Sequence, residues 1–514
     1  MKNILFSAII LLISFSISAQ TTAYVKVAEH GAIDHIEKLS SGGYITTGYD
    51  SLYKPQIIRW DNQFNKIWKY KFTDANITGY PQSIVEANDG NFFYMTASQE
   101  NTGSTLIVKF SSTGNILWQK KYYLASGNMN SIALSKAAGT DNGFLFGGGQ
   151  CTLSNYIIKC NSNGNMEWQN QYYYPLASGV ITCWSIIPDG NNYIVSSGYN
   201  VNSLLTIKLD VSGNVLAHSA YTYDGMQILP TRIIKLNSTG DYAILGNYNS
   251  SNNNKTEFIA IYNSLFSLLS FNELTVTYKQ FVLWDITAVN NGNNIVVNGS
   301  IVDDNDQFYA ALINLSGSGS VVWKKMAEGN SSLSNKSVEF RGVVQQGNTT
   351  IHAGYGYNEG CVMAVVDVNG NGLCNDVTFN LTNVHRTLTL QSQTIAVIPA
   401  TPLVASVNYT GTPVVSSVKE VYCGSIGSIN DFYGKKVIQL FPNPAGDFIQ
   451  ISGYDQEPIK VVIYNQTGEQ IFIYPCRSGD YLIPVGTLKP GFYMARIIAD
   501  GQGVENVALP FLKF

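Results

Sequence analysis

The chain has 514 residues, 45% of them hydrophobic and only 13% charged, with a formal net charge of −4. That length allows two or three domains with sizeable cores, and the missing basic stripe excludes a nucleic-acid binder, which must displace counterions from phosphates. The polar surface has to come from Asn, Ser, Thr, Gly and Tyr, and the 32 Tyr and 23 Phe favour pleated, half-buried strands.

In chain order, Lys2, the apolar run Ile4 to Ile13 and the small-residue end Ile17-Ser18-Ala19-Gln20 predict a secretory signal peptide over residues 1–19. No later run reaches the ~18 apolar residues of a spanning helix, so no transmembrane segment is expected after its removal. Export permits disulfides, but the seven cysteines (Cys151, Cys160, Cys183, Cys361, Cys374, Cys423, Cys476) are odd in number and form no Cys-x-x-Cys.

Residues 20–380 carry an internal repeat. Ser112-Thr113-Gly114-Asn115 leads to Trp118, and Ser162-Asn163-Gly164-Asn165 leads to Trp168. The period of about 50 residues extends back to Trp68 and forward to Ala217, with weaker copies near Ser270, Trp323 and Cys374. Each copy reads as four short strands with tight turns, the third turn holding a Gly suited to positive φ. The recurring Trp fits an anchor between neighbouring sheets, because a four-stranded sheet cannot bury both faces alone. The expected fold is therefore all-β: a seven-bladed β-propeller, with six or eight blades as alternatives. Tyr24-Val25-Lys26-Val27 stands where a fourth strand would be, as a ring closed by its N-terminal strand requires.

Residues 381–435, rich in Pro, Thr, Val and Ser, read as a linker or as completion of the last blade. Residues 436–514 read as a small C-terminal β-sandwich, Ig-like, built of short strands broken by Pro and Gly turns.

Within that last segment Leu440-Phe441-Pro442-Asn443-Pro444 opens the domain. Tyr464-Asn465-Gln466-Thr467-Gly468 follows, then Leu488-Lys489-Pro490-Gly491-Phe492-Tyr493, and a Lys-containing end at Phe511-Leu512-Lys513-Phe514. These four motifs, in this order, resemble the C-terminal (type A) sorting domain of type IX secretion cargo. The resemblance implies a secreted or outer-surface protein and partners in the outer-membrane translocon and its sorting protease. It makes Pro442, Asn443, Pro444, Tyr464, Gly468, Gly491 and Tyr493 the sorting motif. Pro510 departs from the pattern by interrupting the last strand, which an edge strand tolerates. The repeats also look like those common in such cargo.

Candidate chemistry is thin. Asp367, Asn369 and Asn371 match the opening of a calcium loop, but Thr378 replaces the closing Glu and the segment doubles as the seventh copy of the hairpin turn. Ca2+ is the one cofactor it suggests. Asp303-Asp304-Asn305-Asp306 reads as a solvated loop. The five histidines lack metal-ligand spacing, and His352 reads as a packed or hydrogen-bonded strand residue. No nucleophile signature is present, so no catalytic residue is assigned. Tyr49, Tyr199, Tyr248 and Tyr355 each follow the second strand of a blade, and a shared rim of such residues suits stacking on sugars or contact with a protein. The expected function is binding of glycan or surface-protein partners, or a structural role. The alternative is a secreted hydrolase or lyase acting on polysaccharide, its acids dispersed along the propeller channel.

Overall fold

The computed structural model describes residues 23–513 except 29–30, 99–103, 125–128, 150–153, 175–180, 199–202, 224–225, 237–239, 250–254, 329–336, 357–359, 374–375, 392–394, 400–401, 408, 410, 414–419, 425–438, 442–444, 453–457, 466–468, 476–481 and 500–506. The signal peptide expected at 1–19 lies outside them. The chain divides into two units, Met1–Gly427 and Ser428–Phe514.

The first unit is all-β. Its turns recur so often that each strand pairs with its sequence neighbour, giving seven small antiparallel sheets. Their first strands are Ala32–Lys38, Ile77–Glu86, Asn130–Lys136, Thr182–Asp189, Gln227–Lys235, Gln280–Val289 and Val338–Gln346. Each is followed by two or three more strands of the same meander. The seventh sheet takes its fourth strand from the other end of the unit, where Ala23–Ala28 pairs with Gly360–Asp367.

Each first strand packs against that of the next sheet, and that of the seventh against that of the first. Among the described residues, hydrophobic cores lie between every pair of neighbouring sheets. The core holding Ile57, Phe72, Tyr94 and Phe110 joins the first sheet to the second, and the core holding Val25, Met363, Ile33 and Trp60 joins the seventh to the first. Such blade-like sheets fit a propeller.

The third turn of every sheet is built alike. Asp61, Ser111, Asn161, Asp210, Asn263, Ser316 and Asp367 each accept the backbone N–H four residues ahead, and five of them also the N–H two ahead. A short oxygen-bearing side chain is needed there because it substitutes for a backbone acceptor in a tight turn. At Gly114, where φ is +87°, a Cβ would lie 2.7 Å from the Trp68 ring. Gly is thus demanded twice, by the backbone and by the neighbouring sheet's indole.

Within 381–435, where the sequence suggests a linker or completion of the last blade, and from Val377 just before it, the described strands form a belt around the outside. Val377 bridges Met326 of the sixth sheet. Thr382–Arg386, Thr389–Leu390, Ala396–Pro399, Leu403–Ser406 and Gly411–Pro413 then pair with the outermost strands of the fifth, fourth, third, second and first sheets in turn. Glu420–Gly424 finally pairs with Ala23–Ala28 of the seventh. The chain goes round once as meanders and returns outside them in the opposite sense. Unpaired edge strands attract any extended segment, and this one, whose prolines are acceptable at an edge, covers part of each.

In the second unit a three-stranded sheet (Gln439–Phe441, Phe448–Ser452, Leu482–Pro484) and a four-stranded sheet share one core. Leu440, Ile449 and Ile483 of the former meet Val461, Ile463, Ala495, Ile497 and Phe511 of the latter there. Alternation of apolar and polar residues along each strand puts these side chains on one face.

Candidate functional site

Six of the seven first strands carry a β-bulge at the same place. The register shifts between Ile33 and His35, Ser131 and Ala133, Cys183 and Ser185, Pro230 and Arg232, Leu283 and Asp285, and Phe340 and Gly342. A bulge inserts one residue opposite none and re-aims its neighbours. The inserted residues are Asp34, Ile132, Trp184, Thr231, Trp284 and Arg341; the residues just after them include His35, Ser185, Arg232 and Asp285.

These last four line a cavity of about 220 Å³ between the first strands of five sheets, with Glu37 and a ring of Ile36, Ile187, Ile234, Ile286 and Val344. Its polar groups are tied to one another. Arg232 Nε–H donates to Asp285 Oδ1 at 2.9 Å, and Asp285 Oδ2 accepts the Val343 N–H at 3.0 Å. The second Arg232 fork donates to His35 Nδ1 at 2.6 Å. Arginine can only donate, so His35 Nδ1 accepts and the neutral ring keeps its proton on Nε2. Burial and the Arg232 charge both hold the His35 pKa down, to about 4. Burial pushes the Glu37 carboxyl up to about 7, although it accepts the Glu86 N–H at 3.1 Å. Glu86 in turn accepts the N–H and Oγ–H of Ser40 at 2.7 and 2.8 Å.

One residue earlier along the strands, three bulge residues of consecutive sheets meet. Arg341 donates to Asp34 Oδ1 at 2.7 Å and to Glu339 Oε1 at 2.6 Å, and its guanidinium lies 5.3 Å from the centre of the Trp284 ring. Two carboxylates keep Arg341 protonated. Burial raises the Asp34 pKa despite Arg341 beside it. Trp284 is 40% exposed, an unusual posture for an indole. The cluster thus offers an aromatic surface bordered by fixed charges.

The tyrosines of the expected rim do not share one setting. Tyr49 is half-buried, stacks on Tyr53 and is close enough to feel Arg341 and Asp34. Tyr248 is buried between the fourth and fifth sheets and its hydroxyl donates to Glu273. Glu273 also receives Arg386 of the belt at 2.7 Å. Tyr355 is half-buried within Thr349–Gly356. Tyr199 lies outside the described residues.

At the calcium-like turn, Asp367 Oδ1 accepts the N–H groups of Asn369 and Asn371, and Oδ2 accepts the Asn371 side-chain amide at 2.9 Å. Lys325 donates to Asn371 Oδ1. The turn's oxygens serve the turn. His352, fully buried, shares a hydrogen with Thr350 at 2.8 Å, and burial lowers its pKa to about 3. Asp303 accepts the N–H groups of Asn305 and Gln307, and Asp306 pairs with Lys279.

In the second unit, Tyr493 is buried against Phe511 and its hydroxyl donates to the Lys489 carbonyl at 2.9 Å. Tyr464 pairs with Met494 and Gln470, and the Asn465 side chain closes the following turn by accepting the Glu469 N–H. A Cβ on Gly491 would meet only ordinary contacts, 3.7 Å from Tyr493. Pro442, Asn443, Pro444 and Gly468 lie outside the described residues.

Sequence reasoning did not find His35, Glu37, Arg232, Asp285, Trp284 or Arg341. The signal that could have pointed to them is the polar or charged residue at one phase of each first strand, weak because different residue types fill it.

The family described as "Secretion system C-terminal sorting domain" matches residues 439–507. No curated protein matches the chain. Among solved structures, a protein of unknown function from Bacteroides caccae is 11% identical, covering 59% of this chain and 93% of that one, with a TM-score of 0.34. Raptor of Chaetomium thermophilum is 10% identical over 67% of this chain and 29% of that one, with a TM-score of 0.43. The extracellular domain of a putative one component system from B. thetaiotaomicron is 9% identical over 96% and 98%, with a TM-score of 0.18.

Proposed function

This chain is type IX secretion cargo, carried by its C-terminal sorting domain to the medium or the outer cell surface, and from that premise we propose that it is a binding protein. Its first unit is read as a closed seven-bladed β-propeller strapped by the belt, and its second as an Ig-like sandwich. The ligand, a glycan or a surface protein, is met at the axis, where the bulges gather Trp284, Arg341 and Asp34.

The observation that carries this reading is the partly exposed Trp284, held by Arg341 among two carboxylates. Flat indole faces suit sugar rings and peptide side chains alike, and the fixed charges add direction. The neighbouring acids favour binding over catalysis, because Asp34, Glu339 and Asp285 each hold an arginine. A glycan and protein array probed with the purified full chain tests it. Binding lost on Trp284→Ala supports the reading; binding unchanged in that variant refutes an axial site.

One observation favours the hydrolase or lyase alternative: Glu37, near neutral in pKa, faces the cavity. Release of oligosaccharides from a polysaccharide panel, abolished by Glu37→Gln, would establish it.

A further inference from the structure

The two edges of the four-stranded sheet in the second unit are unlike. The strand order runs Gln470–Pro475, Pro458–Asn465, Gly491–Ala499, Val507–Lys513. At the last strand Pro510 has no N–H to offer, and Ala445 bridges Lys513 from outside. The three-stranded sheet ends in Gln439–Phe441 and Leu482–Pro484, three residues each and too short to template a partner.

Among the described residues nothing covers Gln470–Pro475, and its one irregularity is a bulge at Ile471, beyond which Phe472, Ile473 and Tyr474 keep regular register with Ile463, Val462 and Val461. Its sequence, Gln-Ile-Phe-Ile-Tyr-Pro, contains no charge, and proline stands only at its end. Phe472 and Tyr474 pack against the core, while Ile471 and Ile473 point the other way and are 42% and 48% exposed. On that same outer face, by strand alternation, lies Phe492, 48% exposed. Folded proteins blunt free β edges with Lys, Pro, bulges or covers, and the belt does so for the first unit. From Phe472 onward this uncharged edge is regular, and with Ile473 exposed on its outer face it is a template for an added strand.

We propose that the open edge of Gln470–Pro475 is where the type IX machinery grips the sorting domain, through an extended apolar segment of its own that adds as a further strand. The inference rests on reading this unit as a sorting domain. The family match supplies the occupant, since it spans residues 439–507 and so includes the edge. Backbone hydrogen bonds would give the incoming strand its affinity, and its alternate side chains would cover Ile471 and Ile473.

The test uses the full chain expressed in a host with type IX secretion. The variant Ile471→Lys/Ile473→Lys charges the edge without entering the core. Leu482→Lys, at a 44% exposed position of the other sheet, is the control. Surface delivery is read by a membrane-impermeant label on intact cells, and folding by the melting curve of each purified chain. We expect the double variant to melt like the parent while its labelled fraction falls about tenfold, with Leu482→Lys delivered normally. Should the double variant melt early, the milder Ile473→Ser, which keeps the strand neutral, is read in its place and must still reduce delivery. Normal delivery of a folded edge variant overturns the proposal, as does a wild-type dimer that the double variant disperses without loss of delivery. Normal delivery of a chain lacking residues 428–514 would instead sink the sorting reading itself.

Discussion

The indole N–H of Trp118 donates to the carbonyl of Ser162, 3.2 Å away in the turn of the next sheet. Trp68 does the same to Ser112, Trp168 to Val211 and Trp323 to Val368. Where the fifth sheet has no tryptophan, Ser270 donates to Ser318 instead. In these five sheets one side chain thus fastens the sheet to its neighbour, and the four indole rings also pack on the turn glycines Gly114, Gly164, Gly213 and Gly370.

Trp118→Ala removes both the bond and the indole that covers Gly164, where a Cβ would lie 2.8 Å from the ring. We expect a loss of about 2–4 kcal/mol, read from denaturant unfolding. Trp118→Phe should recover most of it, because the area matters more than the single bond. Equal loss in both variants would assign the effect to the hydrogen bond.

The belt is held at the second sheet by Gln119, whose side chain donates to the Tyr409 carbonyl at 3.0 Å and accepts the Tyr409 N–H at 3.3 Å. Gln119→Ala leaves both belt groups without that partner, at a cost of about 1–3 kcal/mol. Because the belt lies outside the sheets, hydrogen exchange should quicken around residues 403–409 and stay unchanged in Phe92–Ser98. Uniform acceleration would mean that belt and sheets unfold as one.

Arg232→Met withdraws the guanidinium from Asp285 and His35. Asp285, buried, then lacks its ion-pair partner, and stability should fall by about 3 kcal/mol. Pairing the change with Asp285→Asn should restore part of it, since the stranded charge is removed too.

The Glu37 pKa is raised to about 7 from an ordinary 4.5, so the folded chain binds a proton that the unfolded chain has already lost. The stability this group contributes is full below the unfolded pKa and is lost as pH rises through the folded one. The difference between wild type and Glu37→Gln should therefore decline from about pH 4.5 to 7, by up to about 1.4 kcal/mol per unit, and level off above. His35 and His352, both lowered, act oppositely and weaken the fold on acidification below about 6.5. They are common to both chains and cancel in that difference. A difference independent of pH would show that Glu37 stays ionised.

Calcium or a chelator should move the melting temperature by less than about 1 °C, because a ligand stabilises only by binding the native state and the Asp367 carboxylate already accepts three N–H donors. A concentration-dependent rise would restore a calcium site at Asp367, Asn369 and Asn371.

Much of this was legible in one dimension. The repeat, the Gly114 and Gly164 turns and the Trp anchors recur at a fixed spacing because each sheet meets its neighbour through the same local chemistry. The fourth-strand role of Tyr24 to Val27 followed from the same count. The second-strand position does not by itself settle which side a ring takes: Tyr248 turns between two sheets to reach Glu273, whereas Tyr49 stays near Arg341.

By itself the sequence determined the export route, the all-β class and the period, since these rest on contiguous motifs and on alternation within single strands. Only the tertiary structure decided the belt and the cluster of bulge residues. Tyr409 meets Gln119 across 290 residues, and His35 meets Arg232 across 197. A bulge, moreover, breaks the alternation by which a sequence tells inward from outward, so the residues it brings together carry no periodic mark of their own.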